Sequence, residues 1–398
     1  MTKIGLVTTL DTNIGDDLIR LGIQNVIRSF GDKGAIDYIP INKHKPWTVF
    51  RAPLQRGLLK LTCQAPRGRY SLQTLVDRNT ARFASSYFDE CDFIIQCGAP
   101  VFWMECHKSE WATALWRGVL ERLAPRIPIL NLAAGSAFPW GQREKPRLSD
   151  GDRDFIRHIT GLCRATAVRD RLAVRLCSSL GLDVNLIPCS AFLSAATVER
   201  RPPTSGPLSL LVNYMQGGGH YSWDEEPVDS AKWEETMKKL LARVGDRYRI
   251  SFLCHNLAEE KLAQRLWPGR EIIKPRSAEE YHRCIAGADI ALCNRMHASV
   301  ALASIGVPSV AIGTDTRLLM VGELGLPVHF VNDATADLLE HQLHHLASGR
   351  EAERERLMAL KASTLAQYRE LLTKVGVTEY FTEQRLESSG RLAVSSPN

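Results

Sequence analysis

The chain has 398 residues, of which 44% are hydrophobic and 24% charged, and its formal net charge is +6. These proportions exclude a mainly disordered chain, and the length favours two domains that each bury a core. The small positive excess is compatible with an anionic substrate or membrane surface but does not indicate nucleic acid.

The ten cysteines contain no CxxC pair, which favours a reducing compartment over a disulfide framework or a zinc site. The first apolar run is short and soon followed by an acidic residue, unlike a signal peptide. No apolar run reaches the roughly 18–20 residues that cross a bilayer. We therefore expect a cytoplasmic protein.

Short β-rich segments alternate with helical patterns through the first half of the chain. Helices are predicted at 16–30, 110–123 and 171–180. The predicted strands are residues 4–8, 35–39, 93–96, 127–132, 165–168 and 184–187.

The alternation restarts after a polar, proline-rich stretch. Strands are predicted at 209–213, 249–254, 271–273, 289–293, 309–312 and 328–330, and a long charged helix at 351–375. Such alternation predicts parallel sheets built from crossover units, and hence an α/β protein with two Rossmann-like domains that face a cleft. The predicted organisation is an N-terminal domain at 1–196, a linker at 197–207, a C-terminal domain at 208–375 and a tail at 376–398.

The first motif, Asn-Ile-Gly-Asp-Asp at 13–17, follows the first predicted strand and opens a helix. Glycine permits a tight turn there, and free helix N-terminal amides bind anions or sugar hydroxyls. Asn13, Gly15 and Asp16 are therefore candidate substrate-binding residues. A simple N-cap role for Asp16 explains the spacing equally well. Since this is not a GxGxxG fingerprint, classical dinucleotide binding is disfavoured.

The second motif, Cys-Asn-Arg-Met-His-Ala-Ser at 293–299, also joins a strand to a helix. This is the position at which α/β folds bind ligands. Arg295 can clamp a carboxylate or phosphate, and His297 can exchange a proton near neutral pH. Both are candidate catalytic residues, and Asn294 is a candidate binding residue. A purely structural histidine is the alternative.

Further candidates follow other predicted strands. Arg169 directly follows the strand predicted at 165–168. It either reaches the cleft or is an ordinary solvated arginine. Gly217, Gly218 and His220 lie in a loop whose glycines allow close approach to a ligand, although flexible loops have the same composition. His255 ends the next strand and is expected near the same crevice.

The tract 43–71 is rich in Lys and Arg, and no acidic residue occurs from Lys43 through Val76. It is predicted either to contact an anionic membrane surface or a lipid-linked, phosphorylated acceptor, or to be a solvated insertion. No nucleic-acid partner is expected, because no binding motif accompanies the charge.

Taken together, the motifs resemble the polysaccharide pyruvyl transferase family over most of the chain. The matching segments are 13–17, 168–170, Arg-Met-His-Ala at 295–298, Gly-Val-Pro-Ser-Val-Ala-Ile at 306–312 and Glu-Leu-Gly-Leu at 323–326. The resemblance implies a two-domain fold like that of GT-B glycosyltransferases. It also implies transfer of the enolpyruvyl unit of phosphoenolpyruvate onto a saccharide, free or lipid-linked, to form a pyruvate ketal in surface polysaccharide synthesis.

By this resemblance, Arg295 and His297 have the roles of the family's arginine and histidine. The chemistry suits these residue types, because phosphoenolpyruvate carries a carboxylate and a phosphate that Arg169 and Arg295 can hold. Protonation of its methylene carbon needs a proton shuttle, for which His297 is the first choice. The resemblance thus implies phosphoenolpyruvate as the donor substrate, and we expect no cofactor and no obligatory metal.

Three positions depart from the family's pattern. The loop after the strand at 93–96 reads Cys97-Gly98-Ala99-Pro100-Val101, Cys189-Ser190 replaces an expected aspartate, and Arg317 stands where a lysine is common.

Two alternatives remain open. Asp315 and Glu323 have the acid-x7-acid spacing with which a GT-B glycosyltransferase can hold a nucleotide sugar, although both also suit a helix surface. A non-catalytic saccharide-binding relative is the second alternative.

Overall fold

The computed structural model describes residues 1–10, 13–31, 35–63, 84–197 and 206–381. Most of the predicted linker (198–205), residues 64–71 of the basic tract and residues 382–398 of the predicted tail lie outside the described residues. Below, the N-terminal half denotes residues 1–197 and the C-terminal half residues 206–381.

The N-terminal half is a parallel α/β sheet in the order β2-β1-β3-β5-β6-β7, with β4 paired to β5 beside it. Its strands are β1 (Thr2–Thr8), β2 (Ile36–Asn42), β3 (Phe93–Cys97), β4 (Pro100–Trp103), β5 (Ile129–Ala137), β6 (Ala165–Val168) and β7 (Asn185–Leu186). Its helices are α1 (Ile14–Arg28), α2 (Pro53–Cys63), α3 (the π-helical Ala112–Leu120 continued by Glu121–Leu123), α4 (Asp150–Leu162) and α5 (Arg171–Ser179).

The C-terminal half is a second parallel sheet in the order β10-β9-β8-β11-β12-β13. Its strands are β8 (Leu208–Asn213), β9 (Tyr248–Leu253), β10 (Glu271–Ile273), β11 (Ile290–Cys293), β12 (Ser309–Gly313) and β13 (Val328–Phe330). Its helices are α6 (Ser230–Val244), α7 (Leu257–Leu266), α8 (Ala278–Ile285), α9 (Met296–Ala303), α10 (Leu318–Gly322) and α11 (Ala336–Lys374).

The predicted α/β class is confirmed, and each predicted strand has a counterpart. The strands are apolar runs: all nine residues of β5 and all five of β12 are buried. Such runs are typical of parallel strands covered on both faces by helices. Among the strands of the described residues, only β4 has no predicted counterpart. It starts at a proline and pairs irregularly with the end of β5, so no hydrophobic alternation marks it.

The two halves meet where their strands end. The Oγ1 of Thr316, beyond β12, accepts a hydrogen bond from the amide of Phe138, beyond β5, at 3.0 Å. The amide of Thr316 donates back to the carbonyl of Phe138, also at 3.0 Å. One continuous hydrophobic cluster includes Ile19 and Ile23 of α1 together with Tyr281 and Ile285 of α8. The loops at the carboxyl ends of both sheets therefore enclose one common cleft.

Helix α11 is longer than the prediction of 351–375, since it begins at Ala336 and runs for 39 residues. Its first turns bury Leu339 and Leu343 against the C-terminal sheet. Further along, Lys361 donates to the carbonyls of Ala195 (2.5 Å) and Ser304 (2.7 Å), which belong to opposite halves. The Tyr368 hydroxyl then donates to a carbonyl of the N-terminal half. This helix is thus anchored in both halves.

The first residues of the predicted tail, 376–381, are among the described residues. A 3₁₀ turn at Val377–Phe381 packs on the N-terminal sheet, where the rings of Tyr380 and Phe381 lie 5.4 Å and 6.2 Å from that of Phe93. Aromatic burial, invisible to a composition argument, keeps this segment in place. Among the helices of the described ranges, none is long and apolar enough to cross a membrane.

Candidate active site

A cavity of about 380 Å³ lies in the cleft, at the carboxyl ends of the strands of both halves. Ligand sites of α/β folds occupy this position. Its residues lie at or beyond the ends of β1, β2, β3, β4, β5 and β6 on one side and of β8, β11 and β12 on the other. They are Thr9, Asn13, Asp16, Lys43, His44, Ala99, Pro100, Trp103, Ser109, Glu110, Trp111, Ala137, Arg169, His220, Tyr221, Trp223, His297 and Arg317.

Arg169 and His297 come together at the base of this cavity. The Nη1 of Arg169 lies 3.3 Å from the Nε2 of His297 and 3.6 Å from the Sγ of Cys189. Arg169 is 1% exposed, and its Nη2 has no hydrogen-bond partner among the described residues. The side chain lies against Gly135, where a Cβ would be 2.3 Å from Nε. A buried guanidinium with an open donor is suited to bind an anion in the cavity.

Burial lowers the pKa of His297 well below its usual range, and the neighbouring Arg169 and Arg317 lower it further. The ring is therefore neutral near pH 7 and accepts rather than donates a proton until an anion enters the site. Since Nε2 faces the guanidinium of Arg169 and hence the anion site, it is the position at which a proton would be exchanged.

The N-terminus of α1 forms the wall next to His297. Asn13 caps this helix, since its Oδ1 accepts a hydrogen bond from the amide of Gly15 at 3.1 Å. A Cβ on Gly15 would lie 2.6 Å from the Nδ1 of His297, so only glycine leaves room for the ring. Asn13 and Asp16 both line the cavity. Asn13 therefore caps α1 and also lines the cavity.

Lys43 is the residue of the basic tract that the structure brings into the site. It is 4% exposed, lines the cavity and lies 5.5 Å from the centroid of the Trp111 ring. Burial lowers its pKa, and Arg169 adds to this, whereas Asp16 and Glu110 oppose it. A surface or membrane role is therefore wrong for Lys43, because the ammonium is enclosed by the fold.

For the remainder of the tract, helix α2 exposes Leu54, Leu58 and Leu61. Contact of this segment with a membrane stays a prediction.

Arg317 is a second arginine of the cavity, which sequence reasoning noticed but did not place in the site. Its Nη2 and Nε lie 2.6 Å and 2.8 Å from the carboxylate oxygens of Asp315, and its guanidinium lies 4.1 Å from the Tyr221 ring centroid. The second acid of the proposed sugar-binding pair, Glu323, instead accepts from Arg171 at 3.1 Å. Asp315 and Glu323 thus each have an arginine partner of their own.

Arg295 lies outside the main cavity, beside a smaller one of about 30 Å³. Its Nη2 and Nε bind Glu259 at 2.5 Å and 2.8 Å, and both side chains are mostly buried. His255 lines the same small cavity, with its Nε2 2.8 Å from the Tyr281 hydroxyl. Arg295 therefore already holds a carboxylate of the protein, one layer behind His297.

The glycine loop approaches protein rather than open space. Gly218 has φ +70° and lies so close to Val331 that a Cβ would be 2.4 Å from that side chain, and Gly217 lies outside the main cavity. Asn294 is buried and binds this loop through the Gly218 carbonyl and the Met215 amide, both at 2.9 Å. Through these contacts the loop presents His220 to the cavity. Burial, with Arg317 and Arg295, lowers the pKa of His220.

Sequence reasoning missed most of the upper part of the cavity. His44 binds Glu110 through Nδ1, and the rings of Trp103, Tyr221 and Trp223 surround the same space. Lys43 and His44 follow the end of β2 directly, so their position after a predicted strand was the one available signal. The described residues hold no group of three metal-ligating side chains, and the expectation of no metal stays a prediction.

Comparison with solved structures supports the architecture. S. aureus MnaA in complex with UDP superposes with a TM-score of 0.53 at 13% identity, covering 92% of either chain. UDP-GlcNAc 2-epimerase from Neisseria meningitidis bound to UDP-GlcNAc gives a TM-score of 0.52 at 10% identity, covering 94% of this chain and 100% of that one. At such identities the likeness shows only the fold, which is of the GT-B type.

A search of curated protein sequences gives no significant match. The family model described as polysaccharide pyruvyl transferase, in contrast, matches residues 13–316, which run from the α1 cap through Arg169 and His297 to the loop beyond β12. Since this match covers most of the chain and both walls of the cleft, the chain belongs to the polysaccharide pyruvyl transferase family.

Proposed function

We propose that the chain transfers the pyruvyl unit of phosphoenolpyruvate onto a saccharide, as a ketal, in the synthesis of a surface polysaccharide. The observation that carries this proposal is the charge of the cavity. Arg169 and Lys43 are both buried there, and among the described residues neither has a carboxylate within ion-pair distance. Buried cations without partners are costly unless a ligand supplies the opposite charge.

Phosphoenolpyruvate matches this requirement because it is small and carries a carboxylate and a phosphate. Arg169 can hold one of these groups through its open Nη2, while Lys43 and the paired Arg317 add positive charge on either side. A guanidinium fork suits either anionic group. A nucleotide sugar, by contrast, needs less charge and more room for its base and ribose.

The reaction needs acid–base groups as well as charge. A proton added to the methylene carbon makes C2 electrophilic, a sugar hydroxyl attacks C2, phosphate leaves, and a second hydroxyl closes the ketal. His297, whose pKa is lowered by burial, can gain a proton once the donor's negative charge is present and deliver it to the methylene carbon. Arg295 supports this site from behind through Glu259.

Isothermal titration calorimetry tests the donor. Phosphoenolpyruvate should bind the wild type, and Arg169→Ala should weaken binding by roughly 2–5 kcal/mol. Arg171→Ala is the matched control, since that neighbouring arginine is exposed and pairs with Glu323. Incubation with a panel of nitrophenyl glycosides should yield a ketal detectable by mass spectrometry, with release of phosphate. Binding of UDP-sugars without binding of phosphoenolpyruvate would instead favour the glycosyltransferase alternative.

A further inference from the structure

Besides His297 and His220, the cavity is lined by His44, which pairs with a carboxylate as catalytic histidines do. His44 follows β2, and its Nδ1 makes a short hydrogen bond to the carboxylate of Glu110, which precedes α3. Both residues line the cavity that also holds Arg169 and His297. They come from the N-terminal half and are 66 positions apart in sequence.

The electrostatics of this pair determine which nitrogen is open. Burial tends to raise the pKa of Glu110, but the hydrogen bond from His44 and the charge of Lys43 hold it below its usual value. Glu110 is therefore an anionic acceptor at neutral pH, and it places the imidazole proton on Nδ1. The Nε2 of His44 has no hydrogen-bond partner among the described residues. A carboxylate orients a general-base histidine in this way in hydrolases.

The proposed reaction needs a base of this kind. Two hydroxyl protons are released when the ketal forms, one proton is taken up by the methylene carbon and one by the departing phosphate. His297 adjoins Arg169 and is therefore assigned to the donor's methylene carbon. A different group has to accept the proton of the attacking hydroxyl.

We propose that His44, held by Glu110, is the base that activates the acceptor hydroxyl; this inference rests on the proposed function. As the O–H bond breaks, its proton moves to Nε2 of His44 and the oxygen bonds to C2. The π electrons of the donor form the C–H bond with the proton from His297. His44 then returns its proton to the phosphate oxygen as the C2–O bond breaks, and the second hydroxyl's proton restores the protonated state of His297.

The surroundings of His44 fit an acceptor sugar. Trp103 and Trp223 line the cavity together with His44, and their rings offer flat apolar surfaces to the C–H face of a pyranose. Side-chain exposure of 48% for His44 and 35% for Glu110 places the pair toward solvent, whereas Arg169 is fully enclosed. An acceptor that remains attached to a long carrier can therefore reach the pair from outside.

Steady-state kinetics test this role with His44→Gln and Glu110→Gln, using the glycoside that yields a ketal with the wild type. We expect kcat to fall about 10²–10⁴-fold in His44→Gln and less in Glu110→Gln, while calorimetric affinity for phosphoenolpyruvate stays within about twofold. His341→Gln and Glu355→Gln, on the exposed side of α11, are the matched controls. Thermal melting of every variant separates loss of catalysis from loss of folding.

A measurement without acceptor complements the kinetics. Nitrogen chemical shifts of the His44 ring should report the Nδ1–H tautomer in the wild type and its loss in Glu110→Gln. Wild-type kcat in a folded His44→Gln variant, or an Nε2–H tautomer in the wild type, would overturn the inference and leave donor binding by Arg169 untouched. Failure of phosphoenolpyruvate to bind the wild type would instead refute the proposed function on which it rests.

Discussion

Arg169 of the N-terminal half and His297 of the C-terminal half meet with Nη1 3.3 Å from Nε2. Neither half alone contains this contact, so the site exists only where the two sheets join. Burial first, and then the charge of Arg169, lowers the pKa of His297, while the Nη2 of Arg169 has no hydrogen-bond partner among the described residues. Electrostatic coupling between the two side chains therefore links occupation of the anion site to protonation of the imidazole.

Gly15→Ala tests the positioning of His297. The added Cβ would lie 2.6 Å from Nδ1 and 3.0 Å from the Cβ of His297, so the ring must move. We expect kcat to fall about 10²-fold, because misplacement of a reacting group by an ångström has that effect. Gly161→Ala is the control, since the methyl group added there would have no described heavy atom within 4 Å beyond its own helix and chain neighbours. Equal kinetics for the two variants would show that the position of His297 is unimportant.

Binding of phosphoenolpyruvate should be accompanied by proton uptake. Burial holds the pKa of His297 well below its usual range, and a bound anion raises it. Calorimetry near pH 7 in buffers of different ionisation enthalpy should therefore report a proton taken up by the wild type. His297→Gln should lose that component and retain only the donor's own protonation change. The same proton number in both proteins would contradict the prediction.

The same pKa has a consequence for stability. Below pH 6.5 the unfolded chain binds a proton that burial excludes from His297 in the folded chain, so the free energy of unfolding decreases as the pH falls.

Lys43→Met should separate stability from function. The buried ammonium has no ion-pair partner among the described residues, so we expect its removal to raise the free energy of unfolding by about 1–3 kcal/mol. Affinity for phosphoenolpyruvate should fall, by about 1.5–3 kcal/mol, because a charged hydrogen bond is lost. Lys45→Met, an exposed neighbour, serves as control. Denaturant titration and calorimetry measure the two effects, and a destabilised variant with unchanged affinity would refute both.

We expect Arg295→Ala mainly to lower the free energy of unfolding. The variant leaves Glu259 buried without its partner, which typically costs about 3–5 kcal/mol. Combining Arg295→Met with Glu259→Gln removes the orphaned charge and should recover much of this loss in thermal melting. Arg157→Ala, which breaks an exposed pair with Asp154, should have an effect of less than about 1 kcal/mol. If Arg295→Ala melts like the wild type, the pair is not structural.

The fold was accessible from the sequence because parallel strands are continuous apolar runs. β6, β10 and β13 lie at the predicted positions, and other strand boundaries shift by a few residues. The start of α11 was missed because Gly349 and three nearby histidines interrupt the charged pattern, although Leu339 and Leu343 keep a helical spacing on the buried face. Tertiary packing, rather than local composition, places that helix boundary.

The site was only partly accessible. His297 and Arg169 follow strand ends, which locates them at the cleft from sequence alone. Lys43 follows a strand end as well, but the basic residues after it suggested a solvated surface. Ion-pair partners are harder to predict from sequence. The carboxylate that binds Arg295 and the carboxylate that binds His44 are each distant in sequence from their partner. Which arginine faces a ligand and which faces a carboxylate depends on the tertiary structure.

Helix α11 is one continuous helix of 39 residues that contacts both halves of the molecule. A rotation that widens the cleft can move α11 together with one sheet, and then the hydrogen bonds of Lys361 and Tyr368 to the other sheet's half must break. Otherwise the helix must bend between these contacts. If the cleft widens for substrate entry or product release, the contacts that join the two sheets must therefore change. These contacts lie away from the reacting residues and hold the two sheets together.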